Sequence, residues 1–270
     1  MKPLRNYSIV VILLVTLSLS CTTVPITGRK QLDFIPISSM LAMSVQEYDA
    51  FLKSNKLSTN QEQTQMVKQV GLRVQKAVEA YFAKNQQSGA LGGYGWEFNL
   101  VESDEVNAWC MPGGKVVVYT GILPITQDEA GLATVMGHEI AHAVARHGNE
   151  RMSQALLAQM GGIGLSAALK EKPAKTRELW MTAFGLGAQV GVLLPYSRLQ
   201  EKEADHLGLI FMAMAGYDPN RAVDFWQRMA QKKGGQAPPE FLSTHPADET
   251  RIRKIKELLP EALEYYRKAG

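Results

Sequence analysis

The stretch Thr134–His147, TVMGHEIAHAVARH, places three of the chain's five histidines and one glutamate in a run that is otherwise small and apolar. With Leu132 and Ala133 before it, the residues Val135, Met136, Ile140, Ala141, Val144 and Ala145 describe a helix apolar almost all round, and such a helix is buried. Histidines and a glutamate inside a buried helix are costly without a partner. A metal ion is a partner that their spacing suits. Positions four apart differ by about 40° around a helix, so His138 and His142 project from one face, one turn apart. Two imidazoles so placed can reach one ion at the ~2.0–2.1 Å that zinc requires. Glu139 lies about 100° further round. It is poorly placed to share the ion but well placed to reach a water on its open side, the His-Glu-x-x-His logic of zinc-dependent hydrolysis. His147 sits about 140° round from His142 and reads as a surface or helix-end histidine. Asp128 and Glu129 supply negative charge for the start of this helix, and Gly148 is its expected stop.

A catalytic zinc takes three protein ligands and keeps one position open. A glycine three residues and a histidine six residues after His142 would complete the set locally, but those positions hold Ala145 and Gly148. The third ligand therefore has to come from another helix. Ser197–His206, SRLQEKEADH, is the candidate, because Glu201 and Asp205 are four apart and share a face. One of them can bind the metal while the other holds a histidine ring. Glu203, about 200° from Glu201, cannot join them, and His206 reads as a structural or surface residue.

The rest of the chain supports one folded domain over 38–270. At 270 residues, with 46% hydrophobic and 20% charged residues, it can bury a sizeable core. A net charge of +3 gives no electrostatic ground for nucleic-acid binding. Ser38–Lys53 and Thr59–Lys84 show helical spacing, the latter through Met66, Val70, Val74, Val78 and Phe82. Trp96–Val101 alternates at period two, and Asn107–Met111 with Lys115–Tyr119 flank a Pro-Gly-Gly turn, so a small antiparallel sheet precedes the histidine helix. From Asp128 onward helices dominate: about 149–169, then near 197–215, 219–231 and 247–268. Met181–Leu194 is the most apolar run after the leader, too short to span a membrane and read as a buried core helix. The fold class is α+β, mainly helical.

The N-terminus reads as an export signal over 1–20: Lys2 and Arg5, then an apolar run from Ile9 to Leu19, then Ser20-Cys21. Leu17-Ser-Leu-Ser-Cys21 resembles a bacterial lipobox, which makes Cys21 the lipidated residue and 21–37 a tether between membrane and domain. Cys110, in an apolar context with no histidine nearby in sequence, reads as a buried structural cysteine.

HEIAH, followed some sixty residues later by LLPYSRLQEKEAD and then by STHPADETR, resembles the gluzincin metalloendopeptidases. That family includes the CAAX prenyl proteases, the HtpX heat-shock protease, the mitochondrial Oma-type proteases and bacterial periplasmic lipoproteins, and the likeness is greatest to the last two groups. The resemblance implies a zincin-like active-site helix with a hairpin beside the cleft. It implies zinc held by His138, His142 and Glu201, with Glu139 as general base and Asp205 behind the ligands. His245 of Thr-His-Pro would stabilise an oxyanion or occupy the fourth metal position as a reversible plug, and Arg251, a basic residue close to it, would share the oxyanion role as a catalytic residue. Asn107, Ala108, Trp109, Pro112, Gly113 and Gly114 would offer substrate an edge strand. The implied function is zinc-dependent hydrolysis of extended or misfolded envelope proteins by a periplasm-facing lipoprotein, of the outer membrane before the inner. The competing reading is a membrane-tethered chaperone with a latent or structural zinc.

Overall fold

The computed structural model describes residues 21–24, 27–188, 194–232 and 240–269. The export signal expected over 1–20 lies outside the described residues. In chain order the elements begin with strands β1 (Cys21–Thr23) and β2 (Lys30–Leu32) and helices α1 (Ile37–Ser54) and α2 (Gln61–Lys84). Strands β3 (Glu97–Val101), β4 (Ala108–Met111) and β5 (Lys115–Tyr119) follow, then a short α3 (Leu123–Thr126) and α4 (Glu129–Val144). The remainder is helical: α5 (His147–Ala168), α6 (Ala174–Ala188), α7 (Leu194–Met214), α8 (Asn220–Lys232), α9 (Glu240–Thr244) and α10 (Glu249–Ala269). These residues form two compact units, one of the described residues up to Ile37 with Arg146–Arg198, the other of Ser38–Ala145 with Leu199–Gly270.

In the second unit the core is built around α4, every residue of which from Gly131 to Val144 is buried. Asp128 caps the helix, its side chain accepting a hydrogen bond from the Gly131 N–H at 2.8 Å. The helix packs against α2, β4 and α8. From α2 come Val67, Val70, Val74, Val78 and Phe82, all fully buried at the three- and four-residue spacing of one helix face. Full burial of Leu132, Met136 and Ile140 contributes about 1.5–3 kcal/mol each.

The sheet has the order β3-β5-β4. β4 and β5 form the expected antiparallel hairpin, turned by Gly113 and Gly114, whose φ values of +88° and +81° lie in the left-handed region that glycine tolerates. β3 pairs parallel to β5, so the three strands make a mixed sheet. Tyr48 and Phe51 of α1 pack on it with Trp109 and Tyr119.

Helices α4 and α7 cross at two glycines. A Cβ on Gly208 would lie 2.9 Å from the His138 backbone nitrogen, and one on Gly137 would lie 3.0 Å from the Gly208 carbonyl oxygen. Side chains at this point would force the two backbones apart.

In the first unit β1 and β2 pair antiparallel, with Cys21 opposite Leu32. The sequence reads 21–37 as an extended tether that wraps the domain or links it to the membrane; within it β1 and β2 form a hairpin fastened to the start of α5. Arg29 makes a two-pronged ion pair with the buried Glu150 at 2.7 and 2.8 Å, Phe34 N–H donates to Ser153 Oγ at 3.0 Å, and Asn149 donates to the Ile35 carbonyl at 2.8 Å.

Three further expectations are corrected. The histidine helix stops at Val144, not at Gly148, because Arg146 takes a left-handed conformation (φ 58°, ψ 31°) and a new helix starts at His147. His147 is itself fully buried, not on the surface. The apolar run from Met181 is not a buried core helix over its described side chains: Met181 to Phe184 lie exposed or half-buried along α6. Residues 189–193 of that run lie outside the described residues.

Gly208→Ala is expected to cost about 1–3 kcal/mol by overpacking and to weaken metal binding, read from a denaturant midpoint and a zinc titration. Gly164→Ala, where an added Cβ meets nothing within 4 Å, is expected to be neutral or to stabilise by up to about 1 kcal/mol.

Candidate metal centre

The centre is assembled from four elements of one unit. α4 supplies His138, Glu139 and His142, which are 2%, 5% and 6% exposed. α7 supplies Glu201 and Asp205. The segment after α9 supplies His245, and α10 supplies Arg251. Pro246 disfavours a helical conformation for the residue before it, so α9 ends at Thr244 and His245 leaves the helix, its ring 4.6 Å from that of Phe241.

His138, His142, Glu201 and His245 each bring one donor atom to a common point. His138 Nε2 and His142 Nε2 are 3.1 Å apart, and Glu201 approaches them with Oε2 at 3.3 Å and Oε1 at 3.2 Å respectively. His245 Nδ1 stands 3.1 Å from His138 Nε2 and 2.9 Å from Glu201 Oε2. Four donors around a tetrahedral ion at ~2.0–2.1 Å would be separated by about 3.3–3.4 Å. The observed separations are close to that, and a histidine and carboxylate donor set matches zinc-like ions, so the residues fit such an ion.

Behind the donors lies a second layer. Asp205 Oδ1 is 3.1 Å from His138 Nδ1, which ties that nitrogen's proton to the carboxylate and leaves Nε2 free to donate its lone pair to a metal. Arg251 is buried and committed: its Nη2 bonds Asp205 Oδ1 at 2.6 Å, its Nη1 lies 3.2 Å from Glu201 Oε2, and its guanidinium stacks 3.4 Å above the Trp226 ring. Its partners are carboxylates, and its Nη2 also lies 3.3 Å from His138 Nε2. Glu139 Oε1 lies 3.3 Å from His245 Nε2.

The charges reinforce this layout. Burial would raise the Glu201 carboxyl, but hydrogen bonds from His138, His142 and His245 hold it far below the ordinary carboxylate range. Burial likewise opposes Asp205, and the Arg251 charge with the His138 hydrogen bond holds it low. Burial would lower His138, yet hydrogen bonds to Asp205 and Glu201 outweigh it and raise the ring to about 9.

The remaining sequence candidates separate cleanly. Glu203 is buried but outside the donor set, and His206 is a partly exposed residue 2.7 Å from Glu261. Cys110 is half-buried, and burial with the nearby Glu139 charge pushes its thiol well above the ordinary value, keeping it protonated. β4 is the edge of its sheet. Asn107 accepts from the Tyr119 N–H, so the ladder's alternation turns the main-chain groups of Ala108 and Cys110 outward. Asn107 Oδ1 accepts from the Ala108 N–H at 2.9 Å. The Trp109 ring packs against Phe51 and Tyr48, and the Pro112 carbonyl accepts from Ser44 at 2.6 Å.

Sequence reasoning missed Trp226 and Phe241, which back Arg251 and His245. It also passed over Gly137 and Gly208, although a glycine immediately before the first histidine is a legible sign of close helix approach.

Comparison with known proteins finds the model for Peptidase family M48 matching residues 66–259. Mitochondrial metalloendopeptidase OMA1 of Saccharomyces cerevisiae is 34% identical over 260 residues, covering 90% of this chain and 70% of that protein. Its Schizosaccharomyces pombe counterpart is 42% identical over 168 residues, 62% of this chain and 48% of its own length. The beta-barrel assembly-enhancing protease of Yersinia pestis is 32% identical over 161 residues, 58% of this chain and 33% of its own. Apart from the Saccharomyces cerevisiae protein, the chain spans half or less of the length of these relatives.

In the ion-free chain the His138 ring keeps its proton up to about pH 9, and an incoming ion must displace it. Zinc affinity is therefore expected to rise with pH up to that value, by about tenfold per pH unit for one displaced proton. Competition with a chelator measures it. Asp205→Ala is expected to lower the affinity about 10–100-fold in the same assay.

Proposed function

The chain belongs to peptidase family M48, and we propose that it is a zinc-dependent metalloendopeptidase acting on extended or misfolded cell-envelope proteins. The observation that carries this is the convergence of His138, His142 and Glu201 on one point, with Glu139 on the same helix beside them.

His138, His142 and Glu201 would hold the ion. When bound, zinc supplies a Lewis acid that polarises the scissile carbonyl and acidifies water at the site. Glu139 takes the proton of the attacking water and delivers it to the leaving amine. A substrate segment lies along the open edge of β4, bonded through main-chain groups at Ala108 and Cys110, which reads sequence weakly and suits unfolded polypeptides.

His245 acts as a reversible fourth ligand. Its Nδ1 lies within the donor set, a position that substrate or water has to take before turnover. Arg251 is a positioning residue that holds Glu201 and, through Asp205, the His138 ring. The N-terminal pattern of Lys2, Arg5, Ile9–Leu19 and Cys21 supports a lipoprotein anchored in a bacterial envelope and facing the periplasm, the outer membrane before the inner. The Yersinia pestis relative, named for β-barrel assembly, supports a bacterial envelope setting.

Glu139→Gln is expected to keep zinc, measured by metal analysis, and to lower cleavage of unfolded casein by about 10²–10⁴-fold; an active Glu139→Gln protein contradicts the mechanism. His245→Ala is expected to raise cleavage by opening the fourth position, whereas a loss would return His245 to oxyanion stabilisation. A zinc-loaded chain inactive in both forms would favour a chaperone with a latent site.

A further inference from the structure

Asp205 and Trp226 each leave one buried polar atom unused. Asp205 is 7% exposed, and every group that reaches its carboxylate reaches the same oxygen. Arg251 Nη2 at 2.6 Å, Arg251 Nε at 3.2 Å and His138 Nδ1 at 3.1 Å all end on Oδ1. Oδ2 accepts from no group among the described residues. Trp226 is 1% exposed and gives its ring face to the Arg251 guanidinium. Its indole N–H donates to no group among the described residues. A carboxylate oxygen and an indole N–H buried without partners are costly, and in folded proteins such atoms are met by the chain itself or by ordered water.

Both residues border one cavity. It lies among four helices of the second unit, and its lining includes Thr134 of α4, Asp205 and Gly208 of α7, Trp226 of α8 and Ile255 of α10. The space in which a water's centre can sit is about 10 Å³, room for roughly one molecule. An apolar cavity of this size stays dry, because a buried water needs about two to four polar partners. This lining offers three. Besides the Asp205 carboxylate and the Trp226 indole N–H there is Thr134 Oγ1, whose proton serves the Ala130 carbonyl at 3.0 Å or Met212 Sδ at 3.6 Å. Its lone pairs remain to accept. One donor and two acceptors are what a single water, with two protons to give and lone pairs to receive, can satisfy.

We propose that this cavity is a binding site for one buried water, which donates to Asp205 Oδ2 and Thr134 Oγ1, accepts from Trp226 Nε1, and so fixes the carboxylate that orients His138. The last torsion of an aspartate is broad and two-fold, so a carboxylate held by one oxygen alone can still turn. A water on Oδ2 holds the other end and keeps Oδ1 on His138 Nδ1. Thr134 and Trp226 are thereby positioning residues that act on the metal ligand through Asp205. The effect on metal affinity rests on the reading of His138 as a zinc ligand, whereas the water site does not.

A high-resolution crystal structure of the full chain tests the site directly. Density for one water within hydrogen-bond distance of Asp205 Oδ2, Trp226 Nε1 and Thr134 Oγ1 is expected. A cavity without such density, or an indole N–H bonded to a protein group, overturns the proposal. The positioning role is read from zinc affinity by competition with a chelator. Thr134→Val, of nearly the same shape but without the hydroxyl, is expected to bind zinc roughly 2–10-fold more weakly, the worth of one hydrogen bond. Thr134→Ser, which keeps the hydroxyl and loses the methyl, is expected to stay close to wild type. The reverse order, with Thr134→Val at the wild-type level and Thr134→Ser weakened, identifies plain packing and overturns the positioning role. The density decides the water site whether or not the chain binds zinc, so failure of the site and failure of the metal reading are told apart.

Discussion

The backbones of α4 and α7 meet where Gly137 faces Gly208, and the metal centre follows from that contact. A helix pair separated by ordinary side chains keeps its axes some 8–10 Å apart. Here the absence of two Cβ atoms lets one backbone rest on the other. His138 is the next residue after the crossing on α4, and Asp205 is one turn before it on α7, so the ring and the carboxylate meet at 3.1 Å. One turn further from the crossing on each helix, His142 and Glu201 meet at 3.2 Å. The ligand distances are thus inherited from one close approach, and little freedom is left to the side chains.

Such a centre gathers negative charge in a buried place, with Glu139, Glu201 and Asp205 all close to the donor point. Arg251 offsets this from behind. It serves two carboxylates with one planar fork and rests its own face on Trp226, so its charge is fully partnered although it is buried. Removing one partner from such a group leaves an uncompensated charge, typically at a cost of about 3–5 kcal/mol. This is why Arg251 belongs to the centre. His245, from the segment closed by Pro246, completes the donor set from the opposite side, and its reach is set by Phe241 beneath it.

Much of this was legible in the residues. The i,i+4 spacing of His138 and His142 and that of Glu201 and Asp205 encode shared helix faces, and helix geometry turns spacing directly into direction. The buried character of α4 was readable from its uniform apolarity, and the β4–β5 turn from Pro112-Gly-Gly. The misreadings have physical causes too. Arg146 adopts a left-handed conformation that residue type does not announce, so the helix ends earlier than glycine placement suggests. The run from Met181 is apolar, but apolarity states a need for cover and does not name what covers it. The hairpin at Cys21–Leu32 is held by Arg29 and Glu150, residues far apart in sequence, and no local pattern reports such a pair.

The sequence by itself determined which side chains share a face, which helix is buried, and that a metal-binding half-site needed a distant carboxylate. Local geometry suffices for these, because a helix repeats itself. Only the tertiary structure decided that His245 stands at the fourth corner, that Arg251 is turned toward carboxylates, and that Trp226 lies under it. Those facts depend on where separate helices come to rest against one another. That resting place is set by packing at contacts such as Gly137 on Gly208, which no stretch of chain contains on its own.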